Sequence, residues 1–76
     1  MASTPNVTLF HAQGCHLCDR AQRVLDRVGV VYESVDITGD PALEERYREW
    51  LPVVEIDGAR AFVYYVDEAA LRRKLW

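Results

Sequence analysis

The sequence predicts an α/β fold: a four-stranded mixed sheet flanked by helices, in the order β-α-β-α-β-β-α. Three observations carry that prediction. A β-branched and aromatic run leads into a stretch of helical periodicity and then into a second β-branched run. Such a strand–helix–strand start implies a parallel pair joined by a right-handed crossover. Late in the chain, Asp57-Gly58 separates two apolar runs, and that dipeptide signals a hairpin with an antiparallel edge.

The elements follow in order. Val7-Thr8-Leu9-Phe10 reads as the first strand, and His11-Ala12-Gln13-Gly14 breaks it. Leu17, Cys18, Ala21, Val24, Leu25 and Val28 then recur at helical spacing, which predicts a helix from about Cys15 to Val28. Gly29 stops it. Val30 to Ile37 is the second strand, ended by Thr38-Gly39. Asp40-Pro41 starts a second helix, with a capping carboxylate and a proline at the first helical position. Its predicted buried stripe is Leu43, Tyr47 and Trp50, and Pro52 forbids continuation. Val53 to Ile56 and Ala59 to Tyr65 form the hairpin, with a boundary at Val63-Tyr64-Tyr65-Val66 that can extend either way. Asp67 caps a last short helix carrying Leu71 and Leu75, and Arg72-Arg73-Lys74 suits its C-terminal dipole.

Composition narrows the function classes. Seventy-six residues make one domain over 1–76, with a core that must be economical. Half the residues are apolar and 28% charged, which excludes wholesale disorder. Nine Lys plus Arg against 12 Asp plus Glu give −3, so a generally basic nucleic-acid binder is excluded. No apolar run approaches the roughly 18 residues of a membrane span. Met1 to Asn6 carries no charged side chain, so no secretory signal is expected there. Two cysteines without an export signal point to a reducing, cytoplasmic compartment and a reversible disulfide.

Those cysteines hold the chemistry. Cys15-His16-Leu17-Cys18 opens the first helix directly after a strand and a glycine. Residues three apart on a helix sit one above the other, close enough for a disulfide. Cys15 lies at or beside the N-cap, where unpaired N–H groups and the dipole favour a thiolate. Cys18 lies on the apolar stripe, where burial favours the neutral thiol. Cys15 is therefore the candidate nucleophile and Cys18 the candidate resolving thiol of a disulfide exchange. His16 is a candidate thiolate stabiliser, or equally an exposed helix residue with no role. Three other readings compete. A structural disulfide closes too small a ring to stabilise much. Zinc would want four ligands, and only His11 and His16 join the two cysteines, so no metal is expected. Two inert buried cysteines fit the strand–C-x-x-C–helix context poorly. His11 is read as a strand end, and Trp50 as core or rim packing, with a substrate platform as the other reading.

With these residues in place the sequence resembles the glutaredoxins, within the thioredoxin-fold superfamily. The resemblance rests on Val7 to Phe10, Cys15-His16-Leu17-Cys18 opening a helix, Leu51-Pro52-Val53 at the third strand, the Asp57-Gly58 hairpin and the final helix. It covers nearly the whole chain and is closest to short bacterial glutaredoxin-like proteins. It implies a thioredoxin-like fold and a monomeric thiol–disulfide oxidoreductase or electron carrier in cell redox homeostasis, acting on disulfide-containing proteins or small disulfides. It also implies a cis Pro52 facing the cysteines, a Leu51 backbone offered to substrate, and Asp67 of the acidic pair Asp67-Glu68 as a substrate-binding position. From the residues alone, Pro52 could equally be a trans proline ending the second helix. The resemblance implies no tightly bound cofactor, with glutathione or another thiol as reductant. The alternative is a glutaredoxin-like module that uses Cys15 to hold a metal or iron–sulfur cluster with ligands from elsewhere.

The sequence departs from the family where glutathione is gripped. Ala12 stands at the place of a common lysine, His16-Leu17 replaces an aromatic, Trp50 replaces a threonine, and Val63-Tyr64-Tyr65-Val66 replaces a Gly-Gly ahead of the acidic pair. These departures predict dithiol exchange with protein or dithiothreitol-like substrates in preference to glutathione-dependent activity.

Overall fold

The computed structural model describes residues 5–76. The expectation of no secretory signal begins at Met1, and residues 1–4 lie outside the described residues. Strand β1 (Val7–His11) leads to helix α1 (His16–Val28), strand β2 (Tyr32–Asp36) and helix α2 (Pro41–Tyr47). A 3-10 turn at Arg48–Trp50 follows, then β3 (Val53–Ile56), β4 (Ala59–Val63) and α3 (Glu68–Leu75). The sheet order is β2-β1-β3-β4. β1 pairs with β2 in parallel and with β3 antiparallel, and β3 pairs antiparallel with β4. This is the mixed sheet the sequence predicts.

Alternation along the two central strands builds a core on each face. Val7 and Leu9 of β1 and Val54 of β3 point toward α1 and α3, meeting Ala21, Leu25 and Leu71. Phe10 and Val53 point the other way, meeting Ile37 and Tyr47. Covered on both faces, β1 and β3 read in the sequence as nearly unbroken apolar runs. Leu9 and Leu25 are fully buried, and truncating either to alanine would cost about 2–5 kcal/mol.

The helix ends follow the local signals. Asp40 accepts the N–H groups of Ala42 and Leu43 with Pro41 at the first turn, and Asp67 accepts that of Ala69. Gly29, at φ 82°, closes α1 by donating to the carbonyls of Leu25 and Asp26. Asp57 and Gly58, at φ 53° and 81°, supply the two left-handed residues of a tight hairpin turn.

Three expectations are corrected. The second strand begins at Tyr32, not Val30, because Val7, its first partner, pairs with Tyr32; Val31 before it is 84% exposed. The fourth strand stops at Val63, two residues short of Tyr65, because Tyr64 turns into the left-handed region at φ 65°. Trp50 is not on the buried stripe of the second helix: it is 41% exposed, while Leu43 and Tyr47 do pack inward. The tighter 3-10 winding at Arg48–Trp50 advances each side chain further around the axis than an α-helix would, and carries Trp50 off the stripe. No helix among the described residues is long and apolar enough to cross a membrane.

Candidate active site

Strand β1 delivers the cysteines. After His11 the chain turns through Gly14, whose φ of 77° suits glycine, and reaches Cys15 at the N-cap of α1. Two bonds tether the turn to the end of β2. The Asp36 carboxylate accepts the Thr38 N–H at 2.9 Å, and the Thr38 hydroxyl accepts the Gln13 N–H at 3.1 Å. Bonding to the Thr38 hydroxyl and N–H holds the Asp36 carboxyl below its ordinary value, with a smaller contribution from the charge of His11.

Cys15 is extended, at φ −93° and ψ 103°, and its sulfur accepts the backbone N–H of Cys18 at 3.1 Å. Its carbonyl accepts the Asp19 N–H at 3.2 Å and starts the helix. Sulfur thus takes the capping role that a serine or aspartate oxygen usually fills. Cys18 stands one turn inside, with its sulfur at disulfide distance from that of Cys15 and a Cα–Cα separation of 5.2 Å. The two differ in access: Cys15 is half-buried, whereas Cys18 is 3% exposed on the core stripe of α1. His16, the first residue of α1, is exposed. His11 ends β1, and its Nε2 lies 2.7 Å from the Ser34 hydroxyl.

The topology brings the other candidate residues to the same end of the sheet. Phe10 pairs with Val53, so the loop after β1 and the Leu51-Pro52 segment before β3 share one edge. Val53 pairs with Val63, which puts Tyr64 to Asp67 beside them. Leu51 is extended, at φ −63° and ψ 143°, and its bond to Pro52 is cis. Pro52 is buried, and its carbonyl accepts the Tyr64 N–H at 3.1 Å. Asp67 uses one carboxylate oxygen to cap α3.

Sequence reasoning misses what surrounds Leu51-Pro52. The Tyr64 hydroxyl donates to the Glu49 carbonyl at 3.0 Å, and the Tyr64 and Trp50 rings lie 6.2 Å apart. The Arg60 guanidinium stands 5.9 Å from the Trp50 ring and 5.7 Å from that of Tyr47. Tyr47 itself stacks on Phe10 at 4.0 Å and donates to Glu55 at 2.9 Å. Burial, together with that bond, raises its phenol above the ordinary value. The available signals were Trp50 next to Leu51-Pro52, where a substrate platform is the other reading, and the Tyr64-Tyr65 doublet at an uncertain strand end. Among the described residues, no group of three or more His, Cys, Asp or Glu side chains gathers to hold a metal.

Comparison with known proteins agrees with this geometry. The family described as the glutaredoxin-like domain (DUF836) matches residues 6–76. An uncharacterized protein of Mycobacterium tuberculosis is 33% identical over 79 residues, covering 92% of this chain and 81% of the relative. A structural genomics target from X. campestris, solved by X-ray, superposes with a TM-score of 0.80 at 34% identity, covering 91% of this chain and 93% of that one. A buckwheat glutaredoxin solved with glutathione shares the fold alone, with a TM-score of 0.64 at 18% identity over 92% of this chain and 67% of that one. With its paired cysteines at the start of α1 and its mixed four-stranded sheet, the chain belongs to the glutaredoxin-like domain family and has a thioredoxin-like fold.

Proposed function

We propose that the protein is a thiol–disulfide oxidoreductase, or electron carrier, in which Cys15 attacks and Cys18 resolves. The observation that carries this reading is the unequal placement of two sulfurs within bonding distance, one at a helix cap and one in the core. In the reduced protein the capping N–H and the helix dipole favour the Cys15 thiolate. That thiolate attacks one sulfur of a substrate disulfide; a Cys15–substrate bond forms, the substrate S–S bond breaks, and the departing thiolate takes a proton from water. Cys18 then loses its proton and attacks the Cys15 sulfur. The mixed disulfide breaks, the second substrate thiol leaves protonated, and the Cys15–Cys18 disulfide remains. Two electrons have passed to the substrate, and a thiol reductant of the cell returns two electrons and two protons.

The extended Leu51 ahead of the cis Pro52 supports strand-like addition of a substrate segment at the same sheet end, which would orient its disulfide toward Cys15. Protein disulfides fit this surface better than glutathione does. Ala12 offers no cation for a glutathione carboxylate, and the exposed side chains of Tyr64 and Tyr65 stand where close backbone approach is needed. We place the reaction in the reducing cytoplasm, where such a disulfide stays reversible.

The test uses single-cysteine variants. Cys15→Ser is expected to abolish reduction of a protein disulfide, and Cys18→Ser to accumulate a mixed disulfide at residue 15, identified by peptide mass. At matched driving potential, the unaltered protein is expected to turn over a protein disulfide faster than a glutathionylated peptide. Trapping at residue 18, or retained turnover by Cys15→Ser, refutes the assignment.

A further inference from the structure

The sheet end that carries the cysteines also carries exposed aromatic surface. Trp50 is 41% exposed, Tyr64 39% and Tyr65 68%. Tyr64 is held to the chain around Leu51-Pro52 twice, by its hydroxyl on the carbonyl of Glu49 in the preceding 3-10 turn and by its N–H on the Pro52 carbonyl. It keeps these contacts at φ 65°, a conformation that a residue with a side chain seldom adopts. An unusual backbone at a rim, fixed by surrounding bonds, is characteristic of binding positions. Arg60 completes the group. Its guanidinium stands over both the Trp50 and the Tyr47 rings, and Arg60 is exposed. Its cross-strand partner Glu55 accepts the Tyr47 hydroxyl, and among the described residues Arg60 forms no ion pair. Contact with ring faces leaves the in-plane N–H donors of a guanidinium open to a carboxylate.

We propose that Trp50, Tyr64 and Arg60 form the docking surface for the protein substrate, and that it selects an extended segment bearing Asp or Glu beside its reactive disulfide. The inference rests on the oxidoreductase reading above and names the substrate class of that site. The substrate strand would lie along Leu51, its apolar side chains on the Trp50 and Tyr64 rings, and its carboxylate on Arg60. A net-negative chain that holds this arginine over the Trp50 and Tyr47 rings, with Trp50 next to Leu51-Pro52, offers local charge complementarity to such a segment.

Three peptides with the same disulfide, flanked by Glu, Gln or Lys, test this directly. The unaltered protein is expected to show a kcat/KM about five- to twentyfold higher for the Glu peptide than for the Lys peptide, mostly through KM. High salt should erase most of that ratio. Arg60→Gln should compress it to about twofold or less, and Arg60→Glu should invert it. The inversion is a gain on the Lys peptide, which an unfolded variant could not produce. Trp50→Ala should raise KM for all three peptides. A ratio left unchanged by Arg60→Glu overturns this inference alone. No turnover of the Gln peptide by the unaltered protein overturns the oxidoreductase reading and this inference with it.

Discussion

Reduced Cys15 should react with an alkylating agent about ten- to a hundredfold faster than reduced Cys18 at neutral pH. The perturbation is to isolate each thiol, Cys15 in Cys18→Ser and Cys18 in Cys15→Ser. The donor to the Cys15 sulfur is the backbone N–H of residue 18, so it survives the first substitution. A helix N-terminus stabilises an anion by up to about 2 kcal/mol; 1–2 kcal/mol corresponds to about five- to thirtyfold more thiolate at fixed pH. A stabilised thiolate is a weaker nucleophile, and with a Brønsted slope of about 0.5 the net gain falls to about two- to fivefold. Access supplies the rest. Cys18 is 3% exposed and needs a local opening to meet the reagent. An opening that costs about 1–2 kcal/mol adds another five- to thirtyfold. Quench-flow iodoacetamide labelling, read by peptide mass, measures both rates. A ratio below about two, or one favouring Cys18, would refute the electrostatic and the access arguments together.

Two further outcomes concern stability. Tyr47→Phe removes the hydroxyl bonded to Glu55, costing about 0.5–1.5 kcal/mol and lowering Tm by several degrees. Because the folded phenol titrates above its ordinary value of 10.0, that contribution is complete below pH 10 and lost as the pH rises through the folded value, so the gap between variant and parent should close in alkali. Asp36 runs the other way: its folded carboxyl titrates below 3.8, so its contribution is present above that pH and lost as pH falls through the folded value. Denaturant titrations of Asp36→Asn between pH 3 and 6 should show a flatter acid limb than the parent, and a parallel limb would contradict the role of Thr38.

What was legible in the sequence was local. Asp40-Pro41, Gly29, Asp57-Gly58 and Asp67 each act through their own backbone or their nearest neighbours, and each does so in the structure. Cys15 at the N-cap follows in the same way, from a glycine and a strand immediately before it. What stayed hidden depends on distant residues. The start of β2 is fixed by where its partner Val7 begins pairing, which periodicity in residues 30–37 does not contain. Trp50 leaves the buried stripe because the helix tightens ahead of Leu51-Pro52. Tyr64 adopts its left-handed turn with bonds to Glu49 and Pro52, more than ten positions back. Arg60 meets the rings of Tyr47 and Trp50 only once β4 has paired with β3.

The central position of β1 has a consequence for the proposed redox cycle. In that cycle each turnover would make and break a covalent bond at the first turn of α1, and the loop there would have to yield a little each time. The strand behind it is laddered on both edges, to β2 and to β3, and packed on both faces. Amides such as those of Leu9 and Phe10 should therefore exchange with deuterium only through the largest openings of the domain, and at similar rates in the oxidised and reduced forms. Amides near residues 13–18 should exchange quickly and differ between the two forms. The protein would thus tether its reactive sulfur just beyond the end of its slowest-opening strand, with the compliance confined to the few residues between strand and helix.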